Sequence, residues 1–394
     1  MNGGAVFHIG LQCRAVCGAG AAEALPAKLA ELKMSRIGVI VDEVVLQQDP
    51  IQVMLAGWRK QGLSPVTVMP TRTGIEPDYE YLDQVAATFR PLEVDLIIGV
   101  GGGSTMDLAK GVGILMRNPG RGIAYRGMNL VPTPGVPVVV IPTVAGSGSE
   151  VSATASFIDV ASQTKLGING THVGCFLAVL DPQLLTTCPA GATIGSGLDA
   201  LVHATEACTA KTANPVSLLF GAEAVRLLFR SLPKAVEAPA DLEARQDLLL
   251  ASFLAGTAMG HAAGGPTSGI SYPLGVHYRV PHGYAGGILL PFVIAANVEK
   301  GYAGGYAALF EKVAPVDAAG LSSPNRHAAG FRDAVWRLYA QVQAPKNFRR
   351  WQVGPSAVDG LTDLTVAQRQ GNLDLNPVPF GREDVAAVVR AACA

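Results

Sequence analysis

An α/β N-terminal domain followed by an all-helical C-terminal domain is the fold class that this 394-residue sequence predicts, and three observations predict it. In the first half, "RIGVIVDE" (Arg36–Glu43), "DLIIGVGGG" (Asp95–Gly103) and "VPVVVIPT" (Val136–Thr143) are near-continuous apolar runs, suited to strands buried on both faces of a parallel sheet. Among them, "AAEALPAKLAEL" and "PDYEYLDQVAATFR" carry helical spacing and complete a βαβ pattern, the pattern of a nucleotide-binding domain. After about Leu185 the texture changes. "ANPVSLLFGAEAVRLLFRSLPKAVEA", "DLEARQDLLLASFLAGTAMGHA" and "HAAGFRDAVWRLYAQVQ" place apolar residues at i, i+3, i+4 and i+7, and no comparable strand run follows. Pro182 and Pro189 punctuate the change, which gives expected domains of 1–185 and 186–394.

Composition narrows the function. Hydrophobic residues make up 49% and charged residues 15% of the chain, enough for a large core. A formal net charge of −1 without a basic block gives no electrostatic case for nucleic acid, so small-molecule chemistry is expected. No apolar run reaches the roughly 18 to 20 residues that span a bilayer, and no secretory signal is visible at the start. The six cysteines, Cys13, Cys17, Cys175, Cys188, Cys208 and Cys393, form no C-x-x-C pair and read as reduced thiols of a cytoplasmic protein. Cys13 and Cys17 are a minor metal candidate, because no second pair follows them.

"GVGGGSTMDLAKG" follows the Asp95–Val100 run directly and opens a helix. Gly101, Gly102 and Gly103 let the backbone approach a pyrophosphate, and the helix beginning near Ser104 aims free N–H groups and its positive end at phosphate. The plainer reading is a tight turn that binds nothing; three consecutive glycines and a serine at a helix start favour the ligand. "GAGAAE", Gly18 to Glu23, mimics a dinucleotide fingerprint, but no buried strand precedes it, so it reads as a simple helix start. Asp42 ends the apolar run "RIGVIVD", where a carboxylate either accepts ribose hydroxyls or merely caps the next helix. Thr143 and Ser147 sit in "IPTVAGSGSEVSATASF", a small-residue loop after a buried strand and thus a candidate ligand loop. In "GSGLDALVHATEAC", Asp199 and His203 are four apart on one helical face and suit a divalent metal, given a third ligand. His282 in "VPHGYAGG" is the first candidate for it, with His261 and His277 behind.

"GGGSTMD", "IPTVAGSGSE", "LDPQLL", "GSGLDALVHATEA", "YPLGVHYRVPHG" and "NPVPF" occur in one order along nearly the whole chain. Together they resemble the iron-containing (group III) alcohol dehydrogenase family, of dehydroquinate synthase-like fold. The resemblance implies cofactor and metal in a cleft between an NAD-binding domain and a helical metal and substrate domain. It implies that Gly102, Gly103, Ser104 and Asp107 belong to the pyrophosphate loop. Thr143 and Ser147 would line the nicotinamide and phosphate path, and Lys165 would lie near the nicotinamide ribose. Asp42 would favour NAD over NADP, and Asp199, His203 and His282 would be three of four metal ligands. The family pattern H-x-x-x-H-P-L-G breaks here: Ser268 takes the place of the fourth ligand and Tyr272 that of a second histidine. A serine hydroxyl is a poor ligand for a transition metal, so the site is expected to be weakened, to the point that iron or zinc is partly or wholly lost on purification, yet one carboxylate and two imidazoles remain a sound catalytic set, with Ser268 facing the cluster. Tyr272 or His277 would then assist proton movement.

The implied activity is NAD(H)-dependent hydride transfer between a small alcohol and its carbonyl, with a metal as Lewis acid, in a homodimer. Two rivals remain. One is a metal-independent NAD(P)H reductase of an anionic carbonyl, like maleylacetate reductases, with Arg279 binding the anion. The other is a non-catalytic NAD-binding protein.

Overall fold

The computed structural model describes residues 6–11 and 13–394. These fall into two compact units: Leu11–Pro189 with Ala238–Leu249, and Ala190–Glu237 with Leu250–Ala394 and the described residues up to Gly10.

The first unit is built on six parallel strands, β1 (Arg14–Cys17), β2 (Ile37–Asp42), β3 (Thr67–Thr71), β4 (Leu96–Gly101), β5 (Val138–Pro142) and β6 (Leu177–Leu180). Their order is β1-β6-β5-β4-β2-β3. Every residue of β2, β4 and β5 is buried, as strands covered on both faces require. Three strands of this sheet were not expected from the sequence. β1 is an exposed edge strand, β6 has only four residues, and β3 carries Pro70 at the opposite edge, where a missing N–H is tolerated. The chain runs outward from β2 to β3, then returns to the other side of β2 to lay down β4, β5 and β6. The point of reversal therefore lies between β2 and β4. In open α/β sheets, ligands bind beyond the carboxyl ends of the strands at such a point. Asp42 and Gly101 end these two strands. Helix α1 (Gly103–Leu115) starts two residues after β4.

The second unit contains no strand among the described residues, so the fold is an α/β N-terminal dinucleotide-binding domain with an all-helical C-terminal one. The helices that matter below are α2 (Ala190–Thr209), α3 (Pro266–Tyr278), α4 (His282–Glu299) and α5 (Val358–Asp374). Ile270 and Leu274 of α3, Ile288 and Leu289 of α4 and Leu361 of α5 share one buried core with Phe348 and Val388. Each such side chain contributes about 1.5–3 kcal/mol on burial, which is what clamps these helices together. α3 begins with Pro266, whose fixed φ suits the first turn, and ends at Arg279 in the left-handed conformation. No single helix is long and apolar enough to cross a membrane among the described residues.

Candidate functional site

The loop after β4 offers backbone rather than side chains. Gly102 is the N-cap of α1 without a side-chain partner, so the first N–H groups of that helix have none from a cap. The glycines are not equivalent. A Cβ on Gly101 would fall 2.7 Å from Thr105 Oγ1, whereas one on Gly102 would meet only Val144 Cγ2 at an ordinary 3.4 Å. Gly101 is glycine because the protein demands it; the space beside Gly102 is left for something else. Thr143, at the carboxyl end of β5, holds its N–H on the Gly101 carbonyl at 3.0 Å and leaves its buried Oγ1 without a hydrogen-bond partner. A buried hydroxyl without a partner is costly, so a ligand atom there fits.

The remaining cofactor candidates divide. Asp42 Oδ1 accepts from the N–H groups of Val44 and Val45 at 3.0 and 3.1 Å and from Thr73 Oγ1 at 2.5 Å, so Asp42 does cap the short helix Glu43–Leu46. All three bonds fall on one oxygen, and Oδ2 remains for a ligand. Asp107 is turned onto the protein: it accepts from Ser149 Oγ at 2.5 Å and the Ser156 N–H at 2.9 Å, and pairs with buried Lys110 at 2.9 Å. It ties the loop after β5 to α1. Ser147 Oγ accepts from the Ser149 N–H at 3.2 Å, beside Gly103. Ser104 is half-buried in the first turn of α1. Lys165 is ion-paired to Glu76 at 2.5 Å.

In the helical unit, Asp199 and His203 lie one turn apart on α2, and His282 opens α4. The contact between these helices depends on glycine. A Cβ on Gly283 would sit 2.0 Å from the Gly195 carbonyl oxygen, so only glycine lets the first turn of α4 rest on α2. His282 is thereby brought to Asp199. His203 Nε2 lies 3.6 Å and His282 Nε2 3.8 Å from Asp199 Oδ1, and one donor atom from each residue falls within 4.8 Å of the others. Donors on a tetrahedral ion at about 2.1 Å stand about 3.4 Å apart, so the group is close to the spacing a metal needs. Among the described residues it is the group of this kind that forms. Cys13 is buried, Cys17 exposed, and neither joins such a group.

A hydrogen bond orients one of the two imidazoles. Ser271 Oγ donates its one proton to the Ser268 carbonyl at 2.7 Å, so toward His282 Nδ1, 3.3 Å away, it acts as acceptor. That assigns the proton of His282 to Nδ1 and leaves the Nε2 lone pair on the Asp199 side, the tautomer a metal ligand needs. His203 Nδ1 is buried with no partner.

Ser268 behaves otherwise than expected. Its hydroxyl is committed to a protein partner, donating to Glu206 Oε2 at 2.5 Å. Glu206 also accepts the N–H groups of Gly265 at 2.8 Å and Thr267 at 2.6 Å. A carboxylate on the N-terminal end of α3 satisfies donors that the helix leaves open and meets its positive end. The spacing of Asp199, His203 and Glu206, one helical face, was the sequence signal for this residue. His261 is also occupied, bonded through Nδ1 to the Thr257 carbonyl at 2.8 Å. His277 and Arg279 are exposed at the end of α3, and neither makes a hydrogen bond or ring contact with the cluster. Tyr272 does: its ring centre lies 5.1 Å from that of His282, and the Arg369 guanidinium carbon lies 3.8 Å from the Tyr272 ring centre.

A phosphate-type loop at the switch point of a parallel sheet and a carboxylate–imidazole cluster on helices define a class, the nucleotide-linked enzymes with a metal-type centre. Comparison with known proteins makes it specific. The sequence pattern of "iron-containing alcohol dehydrogenase" matches residues 13–182, and that of the "Fe-containing alcohol dehydrogenase family, C-terminal" matches 193–393. The chain is 34% identical to the NAD-dependent methanol dehydrogenase of Bacillus methanolicus over 68% of its own length and 70% of the relative's. It is 31% identical to long-chain-alcohol dehydrogenase 1 of Geobacillus thermodenitrificans, over 96% and 94% respectively. The crystal structure of a 1,3-propanediol oxidoreductase superposes with a TM-score of 0.90 at 28% identity, covering 98% of this chain and all (100%) of that one. The chain belongs to the iron-containing alcohol dehydrogenase family. It is an oxidoreductase acting on CH–OH groups, an alcohol dehydrogenase and aldehyde reductase.

Proposed function

We propose that the chain interconverts a small aldehyde and its alcohol with NAD(H), at a three-ligand divalent-metal site formed by Asp199, His203 and His282. The observation that carries the metal is that one donor atom each from Asp199, His203 and His282 falls within 4.8 Å of the others, with Ser271 beside His282 Nδ1 at 3.3 Å. The donor set of one carboxylate and two imidazoles suits iron(II) and zinc alike, and three protein ligands leave a position open. Bound there, a divalent ion supplies Lewis acidity toward a carbonyl or alkoxide oxygen.

The protein's own groups supply the rest. The N–H groups at the start of α1 and the space beside Gly102 suit a pyrophosphate, and Asp42 Oδ2 suits ribose hydroxyls while repelling a 2′-phosphate. The Bacillus methanolicus relative is an NAD-dependent methanol dehydrogenase, which supports the same cofactor. Of the two candidates for proton movement, Tyr272 touches His282 and His277 does not, so the Tyr272 hydroxyl is assigned to deliver the proton to the substrate oxygen during reduction. Asp199 and the two imidazoles hold their positions because α2 and α4 are locked at Gly283.

The test is an aldehyde screen with NADH on protein stripped by exhaustive chelation and then resupplied with single divalent ions. Activity should be lost on stripping and return with iron(II) or zinc. Full turnover in protein verified to be metal-free would transfer the assignment to a metal-independent reductase on the same scaffold.

A further inference from the structure

α2 carries two candidate metal ligands, Asp199 and His203, and on the same face, three residues further, the buried carboxylate of Glu206. Both oxygens of Glu206 are engaged. Oε1 accepts the Thr267 N–H at 2.6 Å, and Oε2 accepts the Gly265 N–H at 2.8 Å and the Ser268 hydroxyl at 2.5 Å. The Ser268 N–H lies 3.3 Å from each oxygen. All of these donors belong to the opening of α3, either its N-cap Gly265 or its first turn. A Cβ on Gly265 would fall 3.0 Å from Glu206 Oε1, so glycine lets the backbone close on the carboxylate. The N–H groups and the positive end of α3 offset the buried charge.

We propose that Glu206 is a positioning residue for the metal centre: it fixes where α3 starts against α2, and so where Ser271 stands beside His282. The inference rests on the three-ligand reading above and adds what locates the third ligand. Ser271 follows Thr267 by four residues, about one turn along α3. Its Oγ is bonded to the Ser268 carbonyl at 2.7 Å and stands 3.3 Å from His282 Nδ1. That second contact is at the long end of the hydrogen-bond range, so a shift of about a few tenths of an ångström in α3 loses it. Ile270 and Leu274 keep the rest of α3 in the helical core, so Glu206 sets the position of the helix and is not needed to fold it. α2 thus carries two ligands and, through Glu206, the height of the helix that orients the third. The Ser268 hydroxyl is one donor among several, and the backbone N–H groups remain without it.

The probe is cobalt(II) added to metal-free protein, with affinity read by titration and coordination geometry by the visible absorption of the bound ion. Glu206→Gln keeps the shape but turns an amide NH2 toward the N–H groups of α3. It should lower cobalt affinity about ten- to a hundredfold and alter the absorption bands, the range for groups that orient ligands. Glu206→Asp keeps the charge but is one methylene short, so it should lose at least about fivefold, where a purely electrostatic role predicts no loss. Ser271→Ala, which alone costs about tenfold, should add less than about twofold in the Glu206→Gln background, because both act through one hydrogen bond. Should Glu206→Gln fail to fold, Glu206→Asp with and without Ser271→Ala decides. Unchanged affinity and absorption in Glu206→Gln, full affinity in Glu206→Asp, or losses that multiply with Ser271→Ala overturn the proposal, while cobalt binding by the unmodified chain leaves the metal site standing. No cobalt binding by the unmodified chain overturns both.

Discussion

In the sheet-containing unit the candidate phosphate-binding groups are backbone donors on one short loop, residues 101–104, whereas in the helical unit the candidate metal ligands are side chains from separate helices. The loop works because strand β4 ends and α1 begins within two residues, so local geometry alone exposes the N–H groups. The cluster works only after packing: Asp199 and His203 meet His282 because Gly283 lets α4 lie on Gly195. The first kind of site is damaged by adding atoms, the second by removing them.

That contrast can be broken experimentally. The largest effect is expected for Asp199→Ala, which removes the carboxylate shared by both imidazoles. kcat/KM should fall about a thousandfold, the several kcal/mol that a Lewis acid provides, with helical content unchanged. A loss below about tenfold would mean that the cluster is not the reaction centre. Next comes Gly102→Val. Its Cβ meets only Val144, so the protein should fold normally while NADH affinity falls about a hundredfold, measured by fluorescence titration. Gly283→Ala should do the reverse, lowering the melting temperature because its Cβ has no room against the Gly195 carbonyl. Normal NADH affinity in Gly102→Val would move the nucleotide elsewhere.

Smaller effects sharpen the comparison. Asp42→Gly should weaken the preference for NADH over NADPH by about tenfold and cost about 1 kcal/mol of stability, since Asp42 also caps a helix. If the unmodified enzyme favours NADPH, the role given to Asp42 is wrong. Ser271→Ala removes the hydroxyl that fixes the His282 tautomer, and metal affinity should fall about tenfold, as for other groups that orient ligands.

How far the sequence revealed these features follows from the same contrast. β2, β4 and β5 were legible because strands buried on both faces are continuous apolar runs, and the glycine loop follows one of them directly. β1, β3 and β6 were not, being edge-exposed, interrupted by Pro70 or only four residues long. The pair Asp199 and His203 appeared through its spacing on one helix, whereas His282 was the first of three candidate histidines until the family resemblance set it apart from His261 and His277. Ser271 and Arg369 escaped notice because their partners are set by helix packing, which no local spacing reports. Ser268 was read as facing the metal because its place in the motif is a ligand's place. The buried Glu206 carboxylate, a stronger acceptor nearby, takes its hydroxyl.

The central claim is that Asp199, His203 and His282 hold one divalent ion without Ser268. Calorimetric titration of metal-free protein with zinc, in the unmodified chain and in His282→Ala and Ser268→Ala, tests it most directly. The account predicts one ion per chain, an affinity loss of at least about a hundredfold in His282→Ala, and a change within about threefold in Ser268→Ala, whose hydroxyl serves Glu206. Equal losses in the two variants would make Ser268 a ligand, and no zinc binding by the unmodified chain would contradict the metal site itself.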